Sequence, residues 1–361
     1  MIKFAFIIHT TDLSLFSKAI GEPGLTKKRK ELLEQVFTWF PPFHISDIVG
    51  IKSKTGKEIE GFFIYSTLLP QQLLKLDQKF VLKRIVEGGK TAEKLGARIL
   101  GLGAYAALIG RKGALVAKEL SIPVTTGTNY TIAVSIDAVL EACVKVNLDL
   151  KCANIAVIGA TGSIGSIICN YLADKVKNII LIARNYDRLE ALEKELNNKH
   201  KCNIKVSTDL SSAIREANVI IISTNYPGSL LLVKDLRPGT IVCDISQPRN
   251  VSQEDATSRK DILVIDGGVV EVPGSVNFNF YYGLPSTLAY ACIAETMILT
   301  LEEIFESYSI GGNVSFEKVK QIRALADKHG FKLAALRSFG ADVTEAQVNL
   351  VKKYILQKKE C

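Results

Sequence analysis

No apolar run in the sequence is long enough to cross a bilayer. The longest candidate, Ile99 to Ile109, is interrupted by Gly101 and Gly103 and stopped by Gly110. No export signal is expected: the apolar part of Met1-Ile-Lys-Phe-Ala-Phe-Ile-Ile-His9 is too short for one and no small-residue cleavage site follows, so it reads better as a first strand. Seven cysteines, at 143, 152, 169, 202, 243, 292 and 361, form an odd and dispersed set with no Cys-x-x-Cys. The four histidines, at 9, 44, 200 and 329, stand far apart. Both patterns argue against a disulfide framework and against a structural zinc site, and no metal is expected. These absences leave a cytoplasmic protein without a membrane span as the expectation.

What is present allows large cores. The chain has 361 residues, 47% of them apolar, so two domains are the default. Its formal charge of +8 suits an acidic partner through electrostatic steering, although from charge alone a lysine-rich solvated surface with no particular partner is the preferred reading. No nucleic-acid partner is expected.

The stretch that organises the chain is Asn154-Ile-Ala-Val-Ile-Gly-Ala-Thr-Gly-Ser-Ile-Gly165. A β-branched run reads as a buried strand, breaks at Gly159, and gives way to helical character from Ile164. Gly159-x-x-Gly162-x-x-Gly165 is a spacing variant of the dinucleotide fingerprint, whose glycines permit a tight turn, close approach to a pyrophosphate and close helix packing. The helix start, with Thr161, Ser163 and Ile164 around it, favours a phosphate there.

From Cys152 onward short strands alternate with helical segments: 154–158, 179–183, 204–207, 219–223, 240–244 and 262–266. That rhythm predicts a Rossmann-like, doubly wound parallel sheet over 151–283, with the cofactor at the carboxyl ends of the strands. Ala183, Arg184 and Asn185 stand at the end of the second strand, where an NAD site usually carries an acid. An arginine there suits a 2′-phosphate, so the expected cofactor is NADPH. Ser223-Thr224-Asn225 and Asp244 to Asn250, including Pro248, follow later strands, as cofactor contacts or as plain turns.

Residues 1–150 are expected to form an N-terminal α/β substrate domain, with a hairpin of 48–52 and 59–65, a helical stretch from Pro70 to about Gly96, and a close-packing glycine segment at 99–110. Val124-Thr-Thr-Gly-Thr-Asn-Tyr-Thr131 then opens a helix. Its hydroxyls and amide either cap that helix or face a substrate. Residues 284–361 read as C-terminal helices, the first opening at Pro285-Ser286 and carrying Cys292 in its second turn. By composition alone a cysteine among alanines and isoleucines is buried packing. The charged tail ends in Lys358-Lys359-Glu360-Cys361.

Taken together, Pro41-Pro42, Lys54-Thr-Gly-x-x-Ile-Glu-Gly61, Thr125-Thr-Gly127, the glycine fingerprint, Leu181-Ile-Ala-Arg-Asn185, Pro285-Ser286, Ala291-Cys-x-Ala-Glu295 and Lys328-His-Gly-Phe331 are, in order and spacing, similar to the cyanobacterial-type long-chain acyl-[acyl carrier protein] reductases. The sequence departs from that pattern at Thr128-Asn129-Tyr130 and from Gly311 onward. The resemblance implies NADPH-dependent reduction of a long-chain acyl thioester to the fatty aldehyde, with an acidic acyl carrier protein as partner and Cys292 as the acyl-accepting residue. Thr126, Gly127 and Asn129 are then expected near the oxyanion, and His329, inside a matched motif, as proton donor.

Two alternative readings are kept beside this one. A shikimate- or quinate-type dehydrogenase shares the domain order but needs a lysine and aspartate pair on a hydroxyl, for which no placement is evident. A non-catalytic NADP-binding sensor needs neither Cys292 nor a substrate.

Overall fold

The computed structural model describes residues 1–9, 27–224, 226, 230–246, 249–312 and 314–357, except the side chains of 27–30. Asn225, Pro248 and the tail from Lys358 to Cys361, which figured in the sequence reading, lie outside the described residues. The main elements run β1 (Ile2–His9), α1 (Lys27–Trp39), β2 (Phe43–Lys52), β3 (Glu58–Ser66), a short helix Pro70–Lys75, α2 (Gln78–Lys94), β4 (Ala97–Leu102), β5 (Val124–Thr125) and α3 (Thr128–Lys145). Then come β6 (Asn154–Ile158), α4 (Ser163–Leu172), β7 (Asn178–Ile182), α5 (Tyr186–Lys199), β8 (Asn203–Ser207), β9 (Val219–Ile222), β10 (Ile241–Asp244) and β11 (Leu263–Asp266). The chain ends with β12 (Gly274–Asn277), α6 (Ala291–Leu301), α7 (Phe316–His329) and α8 (Glu345–Leu356).

Two compact units result. The first comprises residues 1–130, 271–313 and 321–332, and the second 131–270, 314–320 and 333–361. The C-terminal residues from 284 are therefore not a third segment, because their apolar faces are buried in the two cores that precede them in sequence.

The first unit is built on a six-stranded sheet of order β12-β2-β3-β1-β4-β5. The expected hairpin is present: β2 and β3 pair antiparallel, with Ile51 opposite Ile59 and Lys52 opposite Glu58. Residues 271–283, assigned from sequence to the nucleotide domain, return to this sheet instead, where Gly274 pairs with Ile51 at its edge. On one face Ile7, Ile64, Leu100 and Leu102 pack with Val81 and Ile85 of α2. Against the same sheet lies α6, in contact with β1, β3 and β4. Every residue of α6 is buried except Cys292, as befits a helix that is apolar nearly all round. The glycines of β4 permit this approach: a Cβ on Gly101 would lie 2.2 Å from the Phe6 ring and 2.3 Å from Thr296 Oγ1.

The second unit is a six-stranded sheet of order β11-β10-β9-β6-β7-β8, parallel throughout. This is the doubly wound arrangement expected from the alternation of strands and helices. Its register aligns the carboxyl ends, with Ile158 beside both Ile182 and Ile222, and Asp244 beside both Ile222 and Asp266. Asp266 also receives the amides of Phe339 (3.0 Å) and Gly340 (2.9 Å), tying the C-terminal residues to the sheet end. Cys143, Cys169, Cys202, Cys243 and Cys292 are free thiols, whereas Cys152 is in a disulfide, which the dispersed cysteine pattern did not anticipate. No described helix is long and apolar enough to cross a membrane.

Candidate functional site

In the second unit the site-building residues sit on the row of strand ends. Gly159 follows β6 with φ +83°, and a Cβ there would lie 2.8 Å from the Ser223 carbonyl oxygen. Its N–H donates to the Ile182 carbonyl at 2.8 Å, and Gly162 N–H closes the turn on the Gly159 carbonyl at 2.9 Å. A Cβ on Gly165 would lie 2.4 Å from the Gly159 oxygen, so glycine lets α4 start close against the strand end. Gly162 occupies the cap position of α4 and, being glycine, supplies no side-chain cap there. A phosphate fits such a helix start, because the amides and the positive end of the helix dipole point at it.

The residues flanking this turn divide by role. Arg184 follows β7 and is exposed. Asn185 is already engaged, since its side chain accepts the Arg188 N–H at 2.9 Å and caps α5. The Ser223 hydroxyl donates to the Ile158 carbonyl at 3.1 Å, and Ala183, Thr161, Ser163, Ile164 and Thr224 are partly exposed around the strand ends.

In the first unit the structure alters the setting of Cys292. Residues Leu288–Tyr290 are a short strand, Tyr290 is the extended N-cap, and α6 starts only at Ala291, so Cys292 is the second residue of the helix and not in its second turn. Pressed against it is the turn at Gly127, with φ +71°, where a Cβ would lie 2.1 Å from Cys292 Cα and 2.4 Å from Cys292 Cβ. Glu295, one turn on and fully buried, clamps the same turn by accepting Thr125 Oγ1 at 2.5 Å and the Tyr130 N–H at 2.8 Å. An aromatic group adjoins the helix start, with Tyr282 stacked edge-on to Tyr290 at 6.1 Å, Phe278 at 4.9 Å and Phe63 at 5.5 Å.

Burial pushes the Cys292 thiol up to about 12; the Ile293 amide opposes this and the Glu295 carboxylate adds to it. The helix dipole favours a thiolate at this position, yet loss of water outweighs it. Glu295 is itself raised by burial, against the hydrogen bonds from Thr125, Tyr130, Ser309 and Gly127.

The expected oxyanion group lies next to Cys292 with its donors already engaged. Thr126 Oγ1 donates to the Ser309 carbonyl at 2.5 Å, Asn129 Nδ2 to Ser309 Oγ at 2.7 Å, and the Gly127 amide bonds Glu295. These residues hold the turn, and of them only Asn129 Oδ1 is without a partner. Glu295 and Ser309 went unassigned in the sequence reading. The one signal for Glu295 was an ionisable residue one helical turn from the cysteine on an otherwise apolar helix.

His329 is not brought to Cys292. Its Nδ1 lies 2.7 Å from Ser53 Oγ and its Nε2 2.6 Å from Glu302 Oε1, with the ring fully buried. Glu302 closes the far end of α6, ten residues from Cys292, or about 15 Å along the helix axis. Burial holds the imidazole below its ordinary range, partly offset by Glu302, so it is a neutral tie between the hairpin turn and the helix end. Lys57 strengthens this tie by donating to the Leu301 carbonyl at 3.0 Å and to Glu303 at 2.9 Å.

Comparison with known proteins agrees with this division. Residues 141–266 match the family model of shikimate / quinate 5-dehydrogenase. The chain is 26% identical over 363 aligned positions to the aminotransferase PigE of Serratia, covering 98% of this chain but only 42% of that protein. It is 29% identical to the long-chain acyl-[acyl-carrier-protein] reductase of Synechococcus elongatus, covering 92% of this chain and 99% of that one. Among solved structures, the shikimate 5-dehydrogenase of Listeria monocytogenes aligns over 90% of this chain and 96% of its own, at 14% identity and a TM-score of 0.36. The family model and the likeness to the acyl-[acyl-carrier-protein] reductase support NADPH as the cofactor.

Proposed function

We propose that this protein is an NADPH-dependent reductase that converts a long-chain acyl thioester, carried on an acidic acyl carrier protein, to the fatty aldehyde through an acyl group held on Cys292. The observation that carries the reading is the state of α6: of eleven residues, all are buried except Cys292, which is half-buried at the amide end of the helix. A buried structural cysteine has no need of that placement. The likeness over nearly the full length of a reductase named for this substrate supports it. The family match inside the second unit speaks for the dinucleotide rather than for the substrate.

The chemistry asked of the chain's own residues is specific. Cys292 sulfur attacks the acyl carbonyl as its proton passes to the departing carrier thiol, so the exchange is neutral overall and needs no free thiolate in the resting protein. Gly127 and Glu295 fix the sulfur by fixing the helix start, which sets the position of the acyl carbonyl. NADPH, when bound, supplies the hydride. Release of the aldehyde returns the electron pair to sulfur, and a thiol pushed up to about 12 takes a proton readily. Gly159, Gly162 and Gly165 cradle the pyrophosphate, and Arg184 binds the 2′-phosphate.

The test is mass spectrometry after incubation with a long-chain acyl thioester and no NADPH. An acyl adduct on Cys292, absent from Cys292→Ala while that variant still binds NADPH, is the expected result. An adduct elsewhere, or none, overturns the reading.

A further inference from the structure

The first unit carries a pocket that neither the Gly159–Gly165 turn nor the Cys292 turn uses. It holds about 360 Å³ and is lined by residues 52–54 and 271–274 with Gly330 and Lys332, all of them in that unit. Such a volume accepts a small ligand. Backbone fixes its walls: the Lys52 N–H donates to the Pro273 carbonyl at 3.1 Å, the Lys54 N–H to the His329 carbonyl at 3.0 Å, and Gly274 pairs with Ile51 at the sheet edge. Gly330, at φ +94°, leaves the room that the Lys54 stem occupies, since a Cβ there would lie 2.7 Å from Lys54 Cγ. The segments 54–61 and 328–331, which the Cys292 turn leaves unused, thus meet at this pocket.

The charges describe the occupant. Lys52, Lys54 and Lys332 stand in the lining against one carboxylate, Glu271. Lys52 is taken by Glu58 at 2.8 Å, whereas Lys54, Lys332 and Glu271 form no ion pair with another described residue. Two unpaired ammonium groups beside one unpaired carboxylate suit a ligand that joins a phosphate to hydrogen-bond donors better than a bare anion, which Glu271 would repel. Position narrows the choice further. The Val272 N–H donates to the Thr287 carbonyl at 3.0 Å, and Cys292 follows Thr287 by five residues, so it lies within about 18 Å of Thr287 even if that stretch were fully extended. On its other side the pocket reaches α6 through Ser53, whose Oγ lies 2.7 Å from His329 Nδ1, and His329 pairs with Glu302 at the helix end. Pocket and sulfur are thus about one helix length apart, the span of an extended pantetheine arm from its phosphate to its sulfur.

We propose that Lys54 and Lys332 bind the phosphate of the phosphopantetheine arm that presents the acyl thioester, with Glu271 accepting from the arm's hydroxyl or amide N–H. The proposal rests on the acyl-transfer reading of Cys292. Its test compares acylation of Cys292 in the full-length protein by one long-chain acyl group carried on pantetheine and on 4′-phosphopantetheine, followed by mass spectrometry. At limiting concentration the phosphorylated thioester is expected to react at least about tenfold faster, the worth of one charge-assisted contact. In Lys54→Ala/Lys332→Ala that ratio should fall below about threefold, and Lys54→Arg/Lys332→Arg should restore it. General damage to the fold cancels in a ratio. Equal rates for the two thioesters in the unaltered protein overturn the proposal, as does a ratio that survives in the alanine variant. Acyl carrier protein and coenzyme A both present the arm, so acylation from each should slow about tenfold in the alanine variant. A loss confined to one of them places the lysines against that carrier's surface or nucleotide and overturns the assignment to the shared arm. Should no thioester acylate Cys292, the acyl-transfer reading fails, and calorimetric titration with 4′-phosphopantetheine itself decides the pocket. Binding that weakens about tenfold in the alanine variant upholds the phosphate site, and no binding overturns it.

Discussion

Two glycine turns can be set side by side. The Gly159–Gly165 turn of the second unit is completed by neighbours nearer in sequence: Gly159 meets Gly165 six residues on, Ile182 on the next strand and Ser223 after β9. The Thr125–Asn129 turn of the first unit is completed by Cys292, Glu295 and Ser309, with hydrogen bonds between residues 165, 170 and 180 positions apart. Both turns use a left-handed glycine to bring backbone against backbone. Only the first advertises its partners by spacing, because a strand, turn and helix in succession dictate where the third glycine falls. The second depends on a helix that arrives from the far end of the chain.

This contrast can be broken or sharpened by experiment. The largest effect expected is on thiol reactivity. With the Cys292 thiol pushed up to about 12 from an ordinary 9.0, its alkylation by iodoacetamide near neutral pH should be roughly a thousandfold slower than that of a free thiol. The rate should climb about tenfold per pH unit without levelling near pH 9. Peptide mapping resolves this, and a plateau near pH 9 would mean that the turn does not bury the sulfur as described.

Next comes Gly127→Ala. Its Cβ would meet the Cys292 backbone at 2.1 Å from a φ of +71°, so it should cost about 3 kcal/mol or more and abolish acylation of Cys292. Urea unfolding measures this against Gly162→Ala, whose nearest contact at 3.1 Å predicts a loss below about 1 kcal/mol. Comparable losses in the two variants would erase the distinction between the turns.

Gly165→Ala, with a contact of 2.4 Å to the Gly159 oxygen, should cost about 1–3 kcal/mol and weaken NADPH binding without altering Cys292 acylation. Calorimetric titration with NADPH reads the first effect and mass spectrometry the second. Arg184→Ala should raise the Kd for NADPH about tenfold while leaving NADH nearly unchanged, as expected for loss of one charge-assisted contact to a 2′-phosphate. Equal losses for both coenzymes would remove Arg184 from the site.

The smallest effect concerns His329. Its folded pKa lies below the ordinary 6.5, so the unfolded chain binds the proton first as pH falls. The stabilisation from the neutral ring is present above about pH 6.5 and is lost progressively below it. His329→Gln should flatten that part of the stability–pH curve, and an unchanged slope would show that the ring is not held neutral.

Much of the second unit was legible in advance. The six predicted strands fall within a residue of those observed, because β-branched runs bounded by glycine and polar turns are local signals. In the first unit the hairpin and β1 were legible for the same reason. The start of α6 was not, since Pro285-Ser286 is a good helix opening by local rules, whereas Leu288–Tyr290 is extended and Tyr290 takes the cap position. Nor was the fate of His329: a histidine in a matched motif suggests chemistry, and its burial between Ser53 and Glu302 depends on contacts hundreds of positions apart or at the end of another helix. Residues 271–283 were given to the wrong unit because edge pairing of β12 with β2 leaves no mark in a short, glycine-containing strand.

By itself the sequence determined the Gly159–Gly165 turn, for its strand, turn and helix are consecutive and their geometry follows from residue type at each step. The tertiary structure alone decided which end of α6 carries the one half-buried residue, Cys292, and which residues hold it there. The interactions responsible, a buried carboxylate on Thr125 and a glycine against Cys292, exist only after segments far apart in the chain have packed. Burial, the cause that pushes that thiol so high, is likewise a property of the packed core and not of any residue in it.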